Sequence, residues 1–350
     1  MTALLKETEL QKNYLDNETV DTIYFGGGTP SLLQISDLQF QIEKIRQTFT
    51  VADDAELTLE ANPDDIDEEK LAGWKKTGIN RLSIGVQSFF EEDLLWMNRA
   101  HNAQQAFENL QLAKKYFGNI TADLIYGHPL LTDDKWKKNV EQMISLEIPH
   151  LSCYALTVEP KTPLYKLIKD QKKEDVNPAK QSEQFLQLMQ MLTHAGYEHY
   201  EISNFAQPGF RSRHNSSYWQ RKKYLGLGPS AHSFNGTSRQ WNIANNNIYI
   251  SSLDKNEIPF ETEILTPTQQ LNEYIMTSLR TMEGLDLQTF RSWQFGVNSQ
   301  ELAIRSQQFE VSYQKFIITG KVIIENNFLK LTDEGKLFAD GIAADLFFSQ

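Results

Sequence analysis

The sequence predicts an α/β fold, an open or partial barrel of parallel strands followed by a smaller helical module. Two observations lead there. Over roughly the first 200 positions, short apolar and β-branched runs alternate with helical periodicities, the pattern of βα units around a parallel sheet. From Thr266 onward, helical patterns give way to a short hairpin and a last helix, which resembles a winged-helix module.

The strand-like runs are Thr22–Phe25, Glu56–Glu60, Arg81–Val86, Ile120–Ile125, His150–Ala155 and Glu198–Ile202. Between them, helical spacing covers Ile35–Phe49, Asp67–Thr77, Ala103–Phe117, Asp133–Leu146 and Pro178 to about Ala195. Six such units are too few to close an eight-stranded barrel. Residues 1–13 read as an amphipathic helix with Leu4, Leu5 and Leu10 on its apolar side. Residues 205–264 are rich in Asn, Gly, Ser and aromatics, with only scattered periodicity. Beyond them come helical patterns from Thr266, at Leu302–Gln308 and at Tyr313–Ile318. Val322–Leu331 reads as two strands about an Asn326-Asn327 turn, and Asp333–Phe348 as a closing helix. The expected organisation is therefore 1–204 for the barrel, 205–264 for a connecting segment and 265–350 for the C-terminal module. That module carries no basic cluster, so a packing or lid role is expected of it rather than DNA binding.

A net charge of −12 argues against a broad nucleic-acid or anionic-membrane face. No run approaches the length of a membrane span, and no signal peptide opens the chain. The single cysteine, Cys153, excludes an intramolecular disulfide and suits a reducing cytoplasm.

The first strand runs into Gly26-Gly27-Gly28-Thr29-Pro30-Ser31. Three glycines cost backbone entropy, so they mark either a tight strand-to-helix turn or a loop that a ligand approaches closely. In a parallel βα sheet the C-terminal strand ends share one rim, where ligands bind. The later ends bring Glu60-Ala61-Asn62, Gln87-Ser88, Asp123 and Ala155 to that rim. Each of these alone is also an ordinary solvated loop residue. Together they offer acceptors for an ammonium group and ribose hydroxyls beside a backbone cradle. Two carboxylates suit a zwitterionic nucleoside better than a phosphate.

GGGTPSLL, LEANP, GVQSF, Asn98-Arg99-Ala100-His101 and DLIYG, in this order, resemble the radical S-adenosylmethionine (SAM) proteins of the coproporphyrinogen dehydrogenase group. The likeness covers essentially the whole chain. It implies a partial (β/α)6 TIM-like barrel of the radical SAM type, with SAM across the strand ends. Transferred position by position, Gly27, Gly28 and Thr29 would hold the methionine moiety. Glu60, Gln87, Arg99, Asp123 and Ala155 would line the rest of the SAM site. Arg99 has an alternative reading as an exposed helix arginine.

A second cluster, Arg213-His214-Asn215-Ser216-Ser217-Tyr218-Trp219, precedes Gly226-Leu227-Gly228-Pro229-Ser230-Ala231-His232. A histidine with Tyr and Trp four and five residues on could give an iron ligand and flat apolar walls, or could simply fix a loop. The HNxxYW string is similar to that of the haem-chaperone branch of the group. On that likeness His214, Asn215, Tyr218 and Trp219 form the expected haem site, with His232 as a structural residue that could face the cavity. The likeness also implies a haem-accepting membrane respiratory protein as a transient partner.

Radical SAM chemistry uses a [4Fe–4S] cluster on a CxxxCxxC loop after the first barrel strand, and clusters are held by thiolates. Cys153, within Leu151-Ser152-Cys153-Tyr154, reads as a small core residue. The chain opens inside what resembles the helix after the cluster loop, so the first barrel strand and that loop are expected upstream of residue 1. A cluster-free relative is the other reading. Three functions stay open: a haem chaperone, an oxygen-independent coproporphyrinogen III dehydrogenase, and an unrelated barrel enzyme that binds a phosphate ester.

Overall fold

The structure, a computed structural model, describes residues 1–292 and 299–349. It comprises two compact units: Tyr24–Leu33 with Glu56–Ser212, and Met1–Ile23 with Gln34–Ala55 and Arg213–Gln350. Seven strands form the principal half-barrel sheet. They are β1 (Val20–Phe25), β2 (Val51–Ala61), β3 (Arg81–Gln87), β4 (Ile120–Tyr126), β5 (His150–Ala155), β6 (Glu198–Glu201) and β7 (Asn204–Ala206), in the order β1-β2-β3-β4-β5-β7-β6.

Strands β2 to β5 pair in parallel. Their middles are buried runs, such as Ala55–Leu59 and Arg81–Ile84, as is usual for parallel strands covered on both faces. Trp74 and Trp136, each fully buried, anchor the helices Glu68–Lys76 and Asp133–Ser145. The Trp136 indole N–H donates to the Gln184 carbonyl at 2.9 Å, tying in the helix Pro178–His194. The sheet departs from the sequence reading at its far edge. There β7, not β6, pairs with β5, and it runs antiparallel to both β5 and β6. The sixth run is thus the outer arm of a hairpin, because the chain reverses within Ile202-Ser203.

In the other unit the helix Thr2–Leu10 does not bury the leucine side expected of it. Leu10 is exposed, while Glu7 and Thr8 are buried. Partners explain this: the Thr8 hydroxyl accepts from Gln41 Nε2 at 2.9 Å, and Glu7 is fully hydrogen-bonded as described below. Residues 205–264 are more regular than their periodicity suggested. They contain the helix Asn246–Asp254 and an antiparallel sheet of β8 (His232–Phe234), β9 (Ser238–Asn242) and β10 (Phe260–Ile264).

The last module pairs β11 (Leu285–Asp286), β12 (Val322–Glu325) and β13 (Phe328–Leu331) in the order β11-β13-β12. Asn326 and Asn327 both adopt positive φ, 50° and 68°, the backbone that a two-residue hairpin of this twist requires. The two helical patterns before the hairpin are one helix, Ser299–Ile318; the side chain of Leu302 lies outside the described residues. The closing helix is two, Asp333–Lys336 and Ala339–Asp345.

Candidate functional site

The strand-end rim is a pocket of about 180 Å³ formed by the glycine loop and the ends of β2, β3 and β4. Of the eight residues expected there, Gly28, Thr29, Glu60, Gln87, Arg99 and Asp123 line it. Gly27 sits one residue back, and its amide donates to Glu60 Oε2 at 3.0 Å. Ala155 lines a neighbouring cleft instead.

The glycine run has a separate cause at each position. A Cβ on Gly26 would stand 2.5 Å from the Tyr24 ring and 2.9 Å from Glu60 Oε1. Gly27 and Gly28 have φ of 77° and 63°, open to glycine at no steric cost. Glu60 organises the loop: Oε2 accepts from Gly27, and Oε1 accepts from the Tyr24 hydroxyl at 2.7 Å. That Tyr24 contact escaped the sequence reading, although the residue sits two places before the glycines.

Opposite the loop, Arg99 Nη2 donates to Asn62 Oδ1 at 2.9 Å and to the Gly85 carbonyl at 3.3 Å. Asn62 lies within the LEANP string, so the string supplies both the carboxylate and the amide that aims the guanidinium. Gln87 reaches the pocket through a break in the β3–β4 register and a φ of 69°. Gly85 leaves room for it, since a Cβ there would meet Gln87 Nε2 at 2.9 Å. Asp123 is half-buried on β4, beside Ser152, whose hydroxyl donates to Asn204 Oδ1 at 2.6 Å. Burial and the neighbouring Glu60 carboxylate push its carboxyl up to about 7, against the pull of Ser152, Arg81 and Arg99. The pocket therefore offers one loop-bound carboxylate, one carboxyl that titrates near neutrality, a guanidinium and open glycine backbone. That set fits a small zwitterion with hydroxyls, as SAM is.

The residues do not fit a cluster. Cys153 is the one cysteine of the sequence; it is 1% exposed, and burial pushes its thiol well above the usual range. Among the described residues no three His, Cys, Asp or Glu side chains are arranged to hold a metal.

The second predicted cluster occupies the helix Arg213–Trp219, which buries none of its residues. His214 Nδ1 hydrogen-bonds to Thr22 Oγ1 at 2.8 Å, and Nε2 to the Tyr218 hydroxyl at 3.0 Å. The two rings meet edge to face, 5.0 Å between centroids. Burial and nearby Tyr224 push the Tyr218 phenol up to about 12, so it stays neutral and able to donate. The Trp219 ring lies 5.4 Å from the Arg280 guanidinium. Asn215 shares the helix. A haem iron taking Nε2 would exchange for the Tyr218 hydroxyl, with Thr22 still holding the other nitrogen and hence the ring's orientation. His232 is exposed at the start of β8, stacked on Trp241.

The radical SAM superfamily profile matches residues 6–143, and the HemN C-terminal domain profile matches residues 265–338. Heme chaperone HemW of Bacillus subtilis is 34% identical over 272 residues, covering 77% of this chain and 72% of that protein. Heme chaperone HemW of Mycobacterium tuberculosis is 31% identical over 346 residues, covering 98% of this chain and 85% of that protein. The structure of coproporphyrinogen III oxidase HemN from Escherichia coli superposes with a TM-score of 0.81 over 99% of this chain and 82% of its own, at 22% identity. At that identity the likeness speaks for the fold alone.

Proposed function

This chain belongs to the HemW family of radical SAM proteins, and from that premise we propose that it is a haem chaperone with a SAM pocket at the strand ends. The observation carrying the haem half is the half-exposed His214–Tyr218 pair on a helix that buries none of its own residues. His214 is the axial ligand, Tyr218 and Trp219 give the macrocycle its aromatic walls, and Asn215 belongs to the same surface. The protein works in the cytoplasm and passes haem to a membrane respiratory acceptor. No helix among the described residues is long and apolar enough to cross a membrane, so contact with such an acceptor is peripheral in this reading.

His214→Ala tests the haem half. The Soret band of bound haem is expected to shift or disappear while the melting temperature hardly moves. A variant with a parental Soret band and lowered melting temperature would instead make His214 a loop-fixing residue. The dehydrogenase alternative is separated by turnover, since it requires loss of carbon dioxide from a porphyrinogen.

For the SAM half, Gly27, Gly28 and Thr29 cradle the methionine moiety, while Glu60 and Asp123 accept from the amino group and ribose hydroxyls. Gln87 and Arg99 bound the remainder, and Ala155, on the wall of the neighbouring cleft, is the outer edge of the same rim. SAM, when bound beside a cluster, supplies the family's radical chemistry; no step of it is assigned to this chain's residues. Glu60→Gln and Asp123→Asn should each weaken SAM binding by about 1.5–3 kcal/mol, the scale of hydrogen bonds to charged groups. Affinity in the parent should also fall as the pH drops through about 7, where Asp123 takes up its proton. Calorimetry at pH 6 and 8 checks both, and parental affinity in the two variants counts against the assignment.

A further inference from the structure

We propose that His101 is a positioning residue of the strand-end pocket: through the Val86 carbonyl it pins the turn that aims Gln87 at the ligand. The inference deepens the SAM reading above and rests on it for the ligand, but not for the turn.

The turn begins at a break in the sheet. Ile84 pairs with Ala122 and Gln87 with Leu124, so Gly85 and Val86 together stand opposite Asp123. An extra residue of this kind is a β-bulge, rare between parallel strands and frequent beside sites where a side chain must be re-aimed. Here the residue opposite it is a carboxyl of the pocket. The next residue turns sharply. The Ser88 amide donates to the Val86 carbonyl at 2.9 Å across Gln87, whose φ is 69°. A three-residue turn with positive φ at a side-chain-bearing centre is strained. Such a turn persists only where its neighbours hold it.

The Asn98-Arg99-Ala100-His101 tetrapeptide does the holding. The helix Glu91–Trp96 stops at Asn98, which takes a φ of 57°. The Asn98 amide donates to the Leu95 carbonyl at 3.1 Å, and the Arg99 amide to that of Leu94 at 2.9 Å, the paired bonds of a Schellman stop. That reversal carries the chain back to β3. Arg99 Nη2 reaches the Gly85 carbonyl at 3.3 Å, and His101 Nε2 the Val86 carbonyl at 3.0 Å. Both carbonyls of the bulge thus accept from side chains of one tetrapeptide. Arg99 lines the pocket and His101 does not, so His101 acts on it through the backbone.

The imidazole is fixed in the tautomer this role needs. It is buried, and a carbonyl only accepts, so the ring's proton is on Nε2. Nδ1 has no hydrogen-bond partner among the described residues; Asp64 Oδ1 is 3.8 Å away. Burial holds the ring's pKa below its usual value, so the ring stays neutral at pH 7 and above.

The test uses the full chain. Long-range proton–nitrogen spectra of the parent should show His101 protonated at Nε2 alone; a ring protonated at Nδ1 alone overturns the proposal without any substitution. Calorimetry then follows SAM in a cycle of His101→Phe, Gln87→Ala and the pair. His101→Phe should weaken SAM about tenfold, the scale of one hydrogen bond, and should add nothing once Gln87 is alanine. His101→Gln, whose amide reaches about as far as Nε2, should restore most of the affinity. Parental affinity in His101→Phe overturns the proposal. So does an equal loss in both backgrounds, the mark of a purely structural residue. His101→Leu takes the place of His101→Phe if that variant does not fold, and if neither folds the parent's tautomer decides. A parent that binds no SAM overturns the SAM reading alone. The side-chain amide signal of Gln87, identified by its absence from Gln87→Ala, then tests the turn: it should move in His101→Phe and return in His101→Gln. An unmoved signal overturns the role of His101.

Discussion

Replacing Glu7 with alanine is expected to cost about 3–5 kcal/mol of stability, the scale of several buried donors left without their acceptor. Glu7 is fully buried and gathers three donors from distant parts of its unit. The Gly228 amide donates at 2.8 Å, Asn242 Nδ2 at 2.5 Å, and the Tyr249 hydroxyl completes the set. Removing the carboxylate leaves all three buried without their acceptor. Each orphaned donor costs about 1–3 kcal/mol.

Burial outweighs these donors and holds the Glu7 carboxyl above its ordinary value. A raised folded value means that the native state takes up the proton more readily than the unfolded chain. The group's contribution therefore declines as pH rises from about 4.3, the unfolded value, through the folded one. Glu7→Gln keeps one oxygen for Gly228 and Tyr249 and should cost less than alanine while flattening that slope. Urea denaturation at pH 5 and pH 8 measures both, and an alanine penalty below about 1 kcal/mol, an ordinary single hydrogen bond, would remove the clamp from the account.

Arg81→Met should have an effect of similar size, about 3–5 kcal/mol, and a second one on the pocket. Arg81 is 1% exposed at the start of β3. Nη1 donates to Asn119 Oδ1 at 2.5 Å and Nη2 to the Thr121 hydroxyl. Burial lowers the guanidinium's pKa, and the Glu56 carboxylate is the largest influence favouring its charge. The same positive charge holds Asp123 down. Without it the Asp123 carboxyl should rise further above about 7, so the pH for half-maximal SAM binding should move upward. Loss of stability alone would leave that midpoint in place. Calorimetric SAM titrations across pH, on variant protein verified as folded, separate the two effects.

Much of the barrel unit was legible because its elements repeat one local pattern. Helices such as Ala103–Tyr116 and Asp133–Ser145 announce themselves by period and by caps at Asn102 and Thr132. Strand ends then locate the rim without knowledge of side-chain packing. What stayed hidden depends on long-range partners. Nothing in the leucine spacing of residues 1–13 says that Glu7 turns inward, because its donors lie more than 200 positions away. The Gly228 amide that binds it belongs to the GLGPSAH string, whose role is thus structural at that glycine. Tyr24 and Arg81 read as strand residues, and only the fold shows the carboxylates they face. The β6–β7 hairpin was missed because a run of four residues carries too little periodicity to reveal its direction.

Glu60 holds the glycine loop and faces the pocket with the same carboxylate. A ligand that draws on its lone pairs competes with the Gly27 amide and the Tyr24 hydroxyl for them. Occupancy of the pocket is thereby written into the solvent protection of a single backbone proton. Deuterium uptake at Gly27 should respond to ligand even when no side chain moves, and the loop reports binding through its exchange rate rather than through its shape.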